Sequence, residues 1–313
     1  MSNTLKKTTE KKILLIVATL SYFISFLQAD NNILIYNAYG NDKKIIIEGR
    51  MVDKKDYKSA SKDDNLLHNI WRKMKQLSND EIKNREIIAK INNIRYTTNG
   101  DEEGYFEFDI QTDYKLKRGY TPLTLQIDEN PKILNTHATI ITDKAIGIIS
   151  DFDDTVIISN VANKLKLANN LLLKNHKQRE VIPTMVERFR KILAQNSPTT
   201  PTTLFFVTGS PKQLFNSIER FLNYHKFPKH ILITKQLHGY DNDPLFDQFE
   251  YKIQKIEELF GLYPNMQWIM FGDSGEKDRE VYEYLSKKYP LKVQSYYIRD
   301  VHSGKIEKIK GKQ

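Results

Sequence analysis

Cysteine is absent from all 313 residues. That excludes a disulfide framework, a thiolate zinc site and a cysteine nucleophile. It leaves the compartment open, because disulfide-free proteins occur on both sides of a membrane. A mean hydropathy of −0.55 excludes a chain built as an integral membrane protein. No internal repeat and no long low-complexity stretch occurs; Ser197-Pro198-Thr199-Thr200-Pro201 reads simply as a loop. What remains is an ordinary globular composition, 40% apolar, long enough for two domains or for one with a large appendage.

The first thirty residues differ from the rest. Lys6, Lys7, Lys11 and Lys12 precede an apolar run from Ile13 to Leu27 that ends in Gln28-Ala29-Asp30. A basic start, a short apolar stretch and a small residue describe a secretory signal peptide over residues 1–29, the alternative being an N-terminal anchor helix. Either implies an exported chain, periplasmic or secreted. The formal charge is +9, of which residues 1–29 carry four lysines against Glu10. A chain beginning at Asp30 therefore keeps +6, which suits an anionic partner such as a phosphate ester or an acidic lipid surface.

Residues 30–138 read as a small β-rich domain with a helical insertion. Ile33–Tyr36 and Ile45–Val52 are strands around a Gly40-Asn41-Asp42 turn, and strands resume at Ile94–Thr97, Gly104–Ile110 and Leu123–Ile127. Between them Leu67, Ile70, Met74 and Leu77 recur at helical spacing, and a second helix is expected from Asp80 to about Ala89. From residue 139 to 313 strands and helices alternate, the pattern of a parallel α/β sheet. Near-continuous apolar runs at Ala145–Ile149, Leu204–Val207, Ile231–Ile233 and Trp268–Phe271, with Val293–Ile298 after them, read as strands buried on both faces. Helices are expected at Pro183–Ala194, Pro211–His225, Phe249–Phe260 and Glu276–Lys288, the second with Ser210 at its N-cap and Pro211 at N1.

The polar residues that follow these strands carry the chemistry. The first runs straight into Asp151-Phe152-Asp153-Asp154-Thr155. In an open α/β sheet ligands bind beyond the carboxyl ends of strands. Two carboxylates there repel unless a cation or a shared proton compensates. Mg²⁺ suits the task, being a hard cation that binds carboxylate oxygens together with phosphate. A second strand ends in Thr208-Gly209-Ser210, a hydroxyl and backbone amides suited to an anion. A third ends in Gly272-Asp273-Ser274-Gly275-Glu276-Lys277-Asp278, and Lys252 near a helix start adds one cation. Taken singly, each has a plainer explanation: a helix cap, a surface lysine, a favourable charge on a helix dipole. Together, at successive strand ends, they point to a metal-assisted phosphate site.

The segments DFDDT, VTGS, the motif lysine Lys252 and GDSGEKD resemble the four motifs of the haloacid dehalogenase superfamily. Longer stretches, ISDFDDTV, FFVTGSPKQL, YKIQKIEELF and FGDSGEKDREVYEYL, resemble its phosphatidate phosphatases of the fungal actin-patch, lipin-related type over about 145–301. That family often has tryptophan where this chain has Lys212, and histidine where it has Tyr251. The resemblance implies a haloacid dehalogenase-like, Rossmann-type parallel sheet with a minimal cap. It also implies roles. Asp151 is the nucleophile that becomes an aspartyl-phosphate, and Asp153 the acid and then the base. Thr208, with Gly209, Ser210 and Lys252, binds the phosphoryl oxygens. Asp151, Asp153 through its carbonyl, Asp273 and Asp278 surround Mg²⁺.

Fewer than fifty residues separate Thr155 from Leu204. That leaves little room for a lid, so the site is expected to be open to bulky substrates. Phosphatidate hydrolysis to diacylglycerol and phosphate is the leading function. Alternatives are the same chemistry on another exposed phosphomonoester, a phosphoprotein or a nucleic-acid end, or a non-catalytic phosphatidate-binding module. Phosphatidate or an anionic membrane is the expected partner, and nucleic acid is not. The segment Val161 to Lys177, with its Leu171-Leu172-Leu173 run among lysines, either leans on such a membrane or packs on the core.

Overall fold

The computed structural model describes residues 32–52, 82–141, 144–158, 180–236 and 248–310. The leader at 1–29, the helix expected at 66–77 and the segment 161–177 lie outside them.

Strands β1 (Ile33–Gly40), β2 (Lys44–Met51), β3 (Glu86–Ile91), β4 (Ile94–Asn99), β5 (Tyr105–Gln111), β6 (Gly119–Ile127) and β7 (Leu134–Ile140) form one seven-stranded sheet in the order β4-β3-β6-β7-β1-β2-β5. Its pairs are antiparallel except β1 with β7. The edge strands β4 and β5 approach one another, so the sheet comes close to a barrel. Alternation drives it. Phe106, Phe108 and Ile110 point inward from β5 while Glu107 and Asp109 face solvent, and they meet Ile45, Ile47, Ile87, Leu125 and Ala138 in one interior.

The second sheet contains β8 (Ile146–Ser150), β11 (Leu204–Pro211), β12 (Ile231–Lys235), β13 (Gln267–Asp273), β14 (Val293–Arg299) and β15 (Ile306–Lys310), ordered β12-β11-β8-β13-β14-β15. The first five run parallel and β15 closes the edge antiparallel. A separate two-stranded ribbon pairs β9 (Ile157–Ile158) with β10 (Glu180–Val181). Four α-helices occur among the described residues: α1 (Pro183–Leu193), α2 (Phe215–Tyr224), α3 (Phe249–Leu262) and α4 (Asp278–Lys288). Helices α1 and α2 bury Phe189, Ile218 and Phe221 on one face of the sheet, while α3 and α4 bury Leu259, Phe260, Val281 and Leu285 on the other. The two sheets share a core, because Tyr39 of β1 and Ile141 pack among Phe205, Tyr263 and Trp268. Trp268 and Tyr263 are wholly buried there. Truncating such a residue to alanine costs about 3–5 kcal/mol.

This architecture corrects the fold class expected from sequence. A haloacid dehalogenase-like, Rossmann-type parallel sheet behind a small β-rich domain is not what forms. Both sheets are mixed, the larger is the first, and it nearly closes on itself. The repeated motifs near strand ends were legible, but strand order, sheet closure and the antiparallel β15 depend on contacts distant in sequence. Two local expectations also change. The charged stretch expected as a helix to Ala89 forms strand β3, because Ile87, Ala89 and Ile91 alternate into the first sheet's interior. Pro211 ends β11 rather than opening a helix, and a 3-10 turn over Lys212–Leu214 precedes α2.

Candidate active site

The site lies where β8, β11 and β13 end side by side, β8 being paired with both neighbours. Asp151 leaves β8 fully buried, its backbone N–H donating to Phe271 O at 2.8 Å. The chain then turns sharply. Thr155 N–H donates to Asp153 O, and Asp154 takes a left-handed φ of 51°. Arg299 at the end of β14 braces that turn, donating from Nη1 to Asp154 O at 2.8 Å. Asp153 is thereby directed at β11, where Ser210 Oγ donates to its Oδ2 at 2.8 Å. Ser210 is therefore no helix cap. Its own N–H donates to Thr208 Oγ1 at 3.1 Å, which closes a small turn, Thr208-Gly209-Ser210, at the bulge near the end of β11.

Helix α3 delivers Lys252 into the centre, 1% exposed. Its Nζ donates to Asp151 Oδ1 at 2.8 Å, Asp278 Oδ1 at 2.5 Å and Glu276 Oε2 at 3.3 Å. Asp278 uses its second oxygen to accept the Asp273 N–H at 3.1 Å. Asp273 Oδ1 accepts from Gly275 N–H at 2.6 Å and Glu276 N–H at 3.2 Å. Two glycines make these approaches possible. A Cβ at Gly272 would fall 2.4 Å from the Asp278 Cβ, and one at Gly209 would fall 2.4 Å from Gln248 Cδ.

Charge is far from balanced. Asp151, Asp153, Asp273, Glu276 and Asp278 surround one ammonium. Burial pushes the Asp151 carboxyl well above the ordinary aspartate range, further raised by Asp278, Glu276 and Asp273 and only partly offset by Lys252. Burial and then Glu276 push Asp153 up to about 7 against the opposing Ser210 hydrogen bond. Burial, Asp278 and Glu276 push Asp273 up to about 8. Burial also acts to lower the Lys252 ammonium, but Asp151, Asp278 and Glu276 hold it well above its usual value. Buried carboxylates in this excess call for a cation.

Oxygens of Asp151, Asp273 and Glu276 lie within 4.8 Å of one another. Asp151 Oδ2 and Asp273 Oδ2 are buried and have no hydrogen-bond donor among the described residues. Bare carboxylate oxygens in this arrangement fit a hard divalent ion. Of the expected ligands, Asp151 and Asp273 meet in this group. The Asp153 carbonyl, its expected ligand atom, accepts the Thr155 N–H while its side chain meets Ser210; Asp278 goes to Lys252 and the Asp273 amide. Glu276, between Gly275 and Lys277, was not singled out in the sequence. Its signal was its presence in the same acidic turn, where spacing alone does not tell which carboxylate faces inward. Gln248 was missed as well; its Nε2 donates to Glu276 Oε1 at 3.1 Å.

A buried carboxylate with one bare oxygen, a lysine beside it, a second carboxyl with a raised pKa and a hydroxyl-lined turn define a phosphatase-type catalytic centre. Residues 146–300 match the family model described as phosphatidate phosphatase APP1, catalytic domain, and this part of the chain belongs to that family. The chain is 27% identical over 164 residues to phosphatidate phosphatase APP1 of Saccharomyces cerevisiae, covering 52% of this chain and 27% of that protein. It is 23% identical over 238 residues to an uncharacterized protein of Schizosaccharomyces pombe, covering 74% of this chain and 38% of that one. The chain thus spans well under half the length of these relatives. Among solved structures it is similar to a carbohydrate acetylesterase from Xanthomonas citri, at 13% identity and a TM-score of 0.29 over 82% of this chain and 65% of the other. It is also similar to the bacterial integrin-binding protein invasin, at 15% identity and a TM-score of 0.19 over 35% of this chain and 18% of the other. Scores this low carry no argument.

Proposed function

We propose that the chain is a Mg²⁺-dependent phosphatidate phosphatase, releasing diacylglycerol and phosphate through a phosphorylated Asp151. The observation that carries this reading is the bare Asp151 Oδ2, buried beside Lys252 within the family's catalytic stretch. Asp151, Asp273 and Glu276 would hold the ion, which when bound draws charge from the phosphoryl oxygens.

The protein groups do the rest. Asp151 Oδ2 attacks phosphorus and the bond from phosphorus to the glycerol oxygen breaks. Asp153 enters protonated, as its raised pKa of about 7 favours, and gives its proton to the leaving oxygen. Diacylglycerol departs neutral. Asp153, now a carboxylate, takes a proton from the water that attacks the aspartyl-phosphate, and orthophosphate leaves with Asp151 restored. Thr208, the Gly209 amide and Lys252 stabilise charge on the transferring group. Lys252 also opposes the burial that favours a protonated Asp151, offsetting part of its raised pKa.

The positive net charge of +9 supports an anionic membrane as the surface on which the substrate is met. The test is phosphate release from phosphatidate vesicles and from an aryl phosphate, each with Mg²⁺ and with chelator. Release from the lipid that stops with chelator is expected. Turnover of the aryl phosphate alone would shift the substrate to another phosphomonoester, and no turnover of either would overturn the reading.

A further inference from the structure

The Thr208-Gly209-Ser210 turn is attached to the first sheet by a buried polar bridge. Lys212, two residues beyond Ser210, is 8% exposed and extends its Nζ to Glu48 Oε1 of β2 at 3.2 Å. Glu48, 6% exposed, is held in turn by Asn37 of β1, whose Nδ2 donates to Glu48 Oε2 at 2.9 Å and to Leu232 O of β12 at 2.8 Å. Gln236, just past β12, accepts from Lys212 at 3.5 Å and donates to Asp101 Oδ2 at 2.8 Å. The ammonium also lies over two neighbouring rings, 5.9 Å from the centre of Tyr36 and 5.7 Å from that of Tyr105.

A buried ion pair of this kind is a weak source of stability, since apolar residues of equal volume serve as well or better. Its value lies in fixing position. The position it fixes is one that strand pairing leaves loose. β11 and β12 pair regularly from Phe205 to Thr208, and the register then shifts before Pro211 pairs with Lys235. The turn that carries Thr208 and Ser210 occupies this break, so its aim is set from beyond it, by Lys212.

We propose that Glu48, acting through Lys212, is a positioning residue for the phosphoryl-binding turn, which makes the first sheet a working part of the catalytic unit. This rests on the reading of Thr208–Ser210 as a phosphoryl site. It goes beyond the family match, which starts at residue 146 and leaves Glu48 unassigned.

The experiment uses the full chain with Mg²⁺ and reads orthophosphate binding by calorimetry beside kcat on an aryl phosphate. Variants are K212M, E48Q, the double variant, and K44M as a control at the outward Lys44–Asp109 pair of the same β2. In folded K212M, phosphate affinity and kcat are each expected to fall about tenfold or more, as misaimed contacts do. E48Q keeps an acceptor for Lys212 and should lose less. The double variant should be no worse than K212M, because residues acting as one unit are not additive, and it keeps the test valid should the lone buried Glu48 unfold K212M. K44M should be unchanged. A wild type that binds phosphate, with K212M or the folded double variant equal to it, overturns the bridge alone. Additive losses in the double variant overturn it too. A wild type that neither binds nor turns over phosphate overturns the reading of the site and the bridge with it.

Discussion

The ammonium of Lys252 lies 2.8 Å from Oδ1 of Asp151, while Oδ2 of that carboxylate has no donor among the described residues. One oxygen is held and the other is bare. The held oxygen fixes the carboxylate's orientation, and Lys252 favours its charged form. The bare one is free to meet a cation or a phosphorus atom. Buried among Asp278, Glu276 and Asp273, Asp151 has its pKa raised, and losing Lys252 would raise it further and cost nucleophilicity.

Asp153 is expected to separate lipid from aryl substrates. Asp153→Asn cannot protonate a glycerol oxygen, so phosphatidate turnover should fall by about 10²–10⁴-fold. A nitrophenolate leaves without a proton, so the first step on an aryl phosphate should persist as a burst of nitrophenol followed by a slow steady rate. Stopped-flow absorbance checks this.

Glu276→Gln and Asp273→Asn should each weaken Mg²⁺ or Mn²⁺ binding by at least about tenfold. Calorimetry on the folded variants measures it directly. Asp278→Asn should do less to the metal and more to the rate, because its oxygens go to Lys252 and to the Asp273 amide.

Gly209→Ala should disturb the phosphoryl-binding turn, because its Cβ meets the Gln248 side chain at 2.4 Å. The strain costs about 1–3 kcal/mol, read as a lower melting temperature and weaker phosphate binding. Adding Gln248→Ala removes the obstructing atoms and should restore much of the stability.

Two pairs away from the catalytic carboxylates set opposite pH limits. Burial acts to raise the Glu48 pKa, but Lys212 and the Asn37 hydrogen bond outweigh it and leave the carboxyl below its usual value. Its contribution is present above the unfolded glutamate pKa and is lost as pH falls through the depressed value. Burial acts to lower His230, but the charge and hydrogen bond of Glu219 outweigh it. That contribution is complete below the unfolded histidine pKa and is lost as pH rises through the raised one. Melting temperature should therefore fall on both sides, with Glu48→Gln reducing the acid slope and Glu219→Gln the alkaline one.

Much of the site was legible because its chemistry is local. Asp151 and Asp153 follow an apolar run, Asp273 follows another, and Lys252 opens a helix, all readable from neighbours in sequence. Less readable was which oxygen each group offers. Glu276 joins Asp151 and Asp273, while Asp278 turns to Lys252, and only the fold of the acidic turn decides between them. Ser210 looked like a helix cap because Pro211 follows it, yet its hydroxyl goes to Asp153 across the sheet. Strand β3 failed for a different reason, since Ile87, Ala89 and Ile91 already alternate as a strand requires, a signal that the charged run before them outweighs in a reading for a polar helix. The fold class erred most, because strand order and the near-closure of the first sheet arise from pairings such as β1 with β7 that no local pattern announces.

The most direct test of the account is chemical trapping of the phosphorylated residue. Enzyme mixed with phosphatidate and Mg²⁺ is quenched during turnover and reduced with borohydride, which converts an acyl phosphate to an alcohol, and the peptides are read by mass spectrometry. Homoserine at position 151, absent in Asp151→Asn and without substrate, is the predicted result. Continued turnover with Asp151 unaltered, or with another residue reduced in its place, would contradict it.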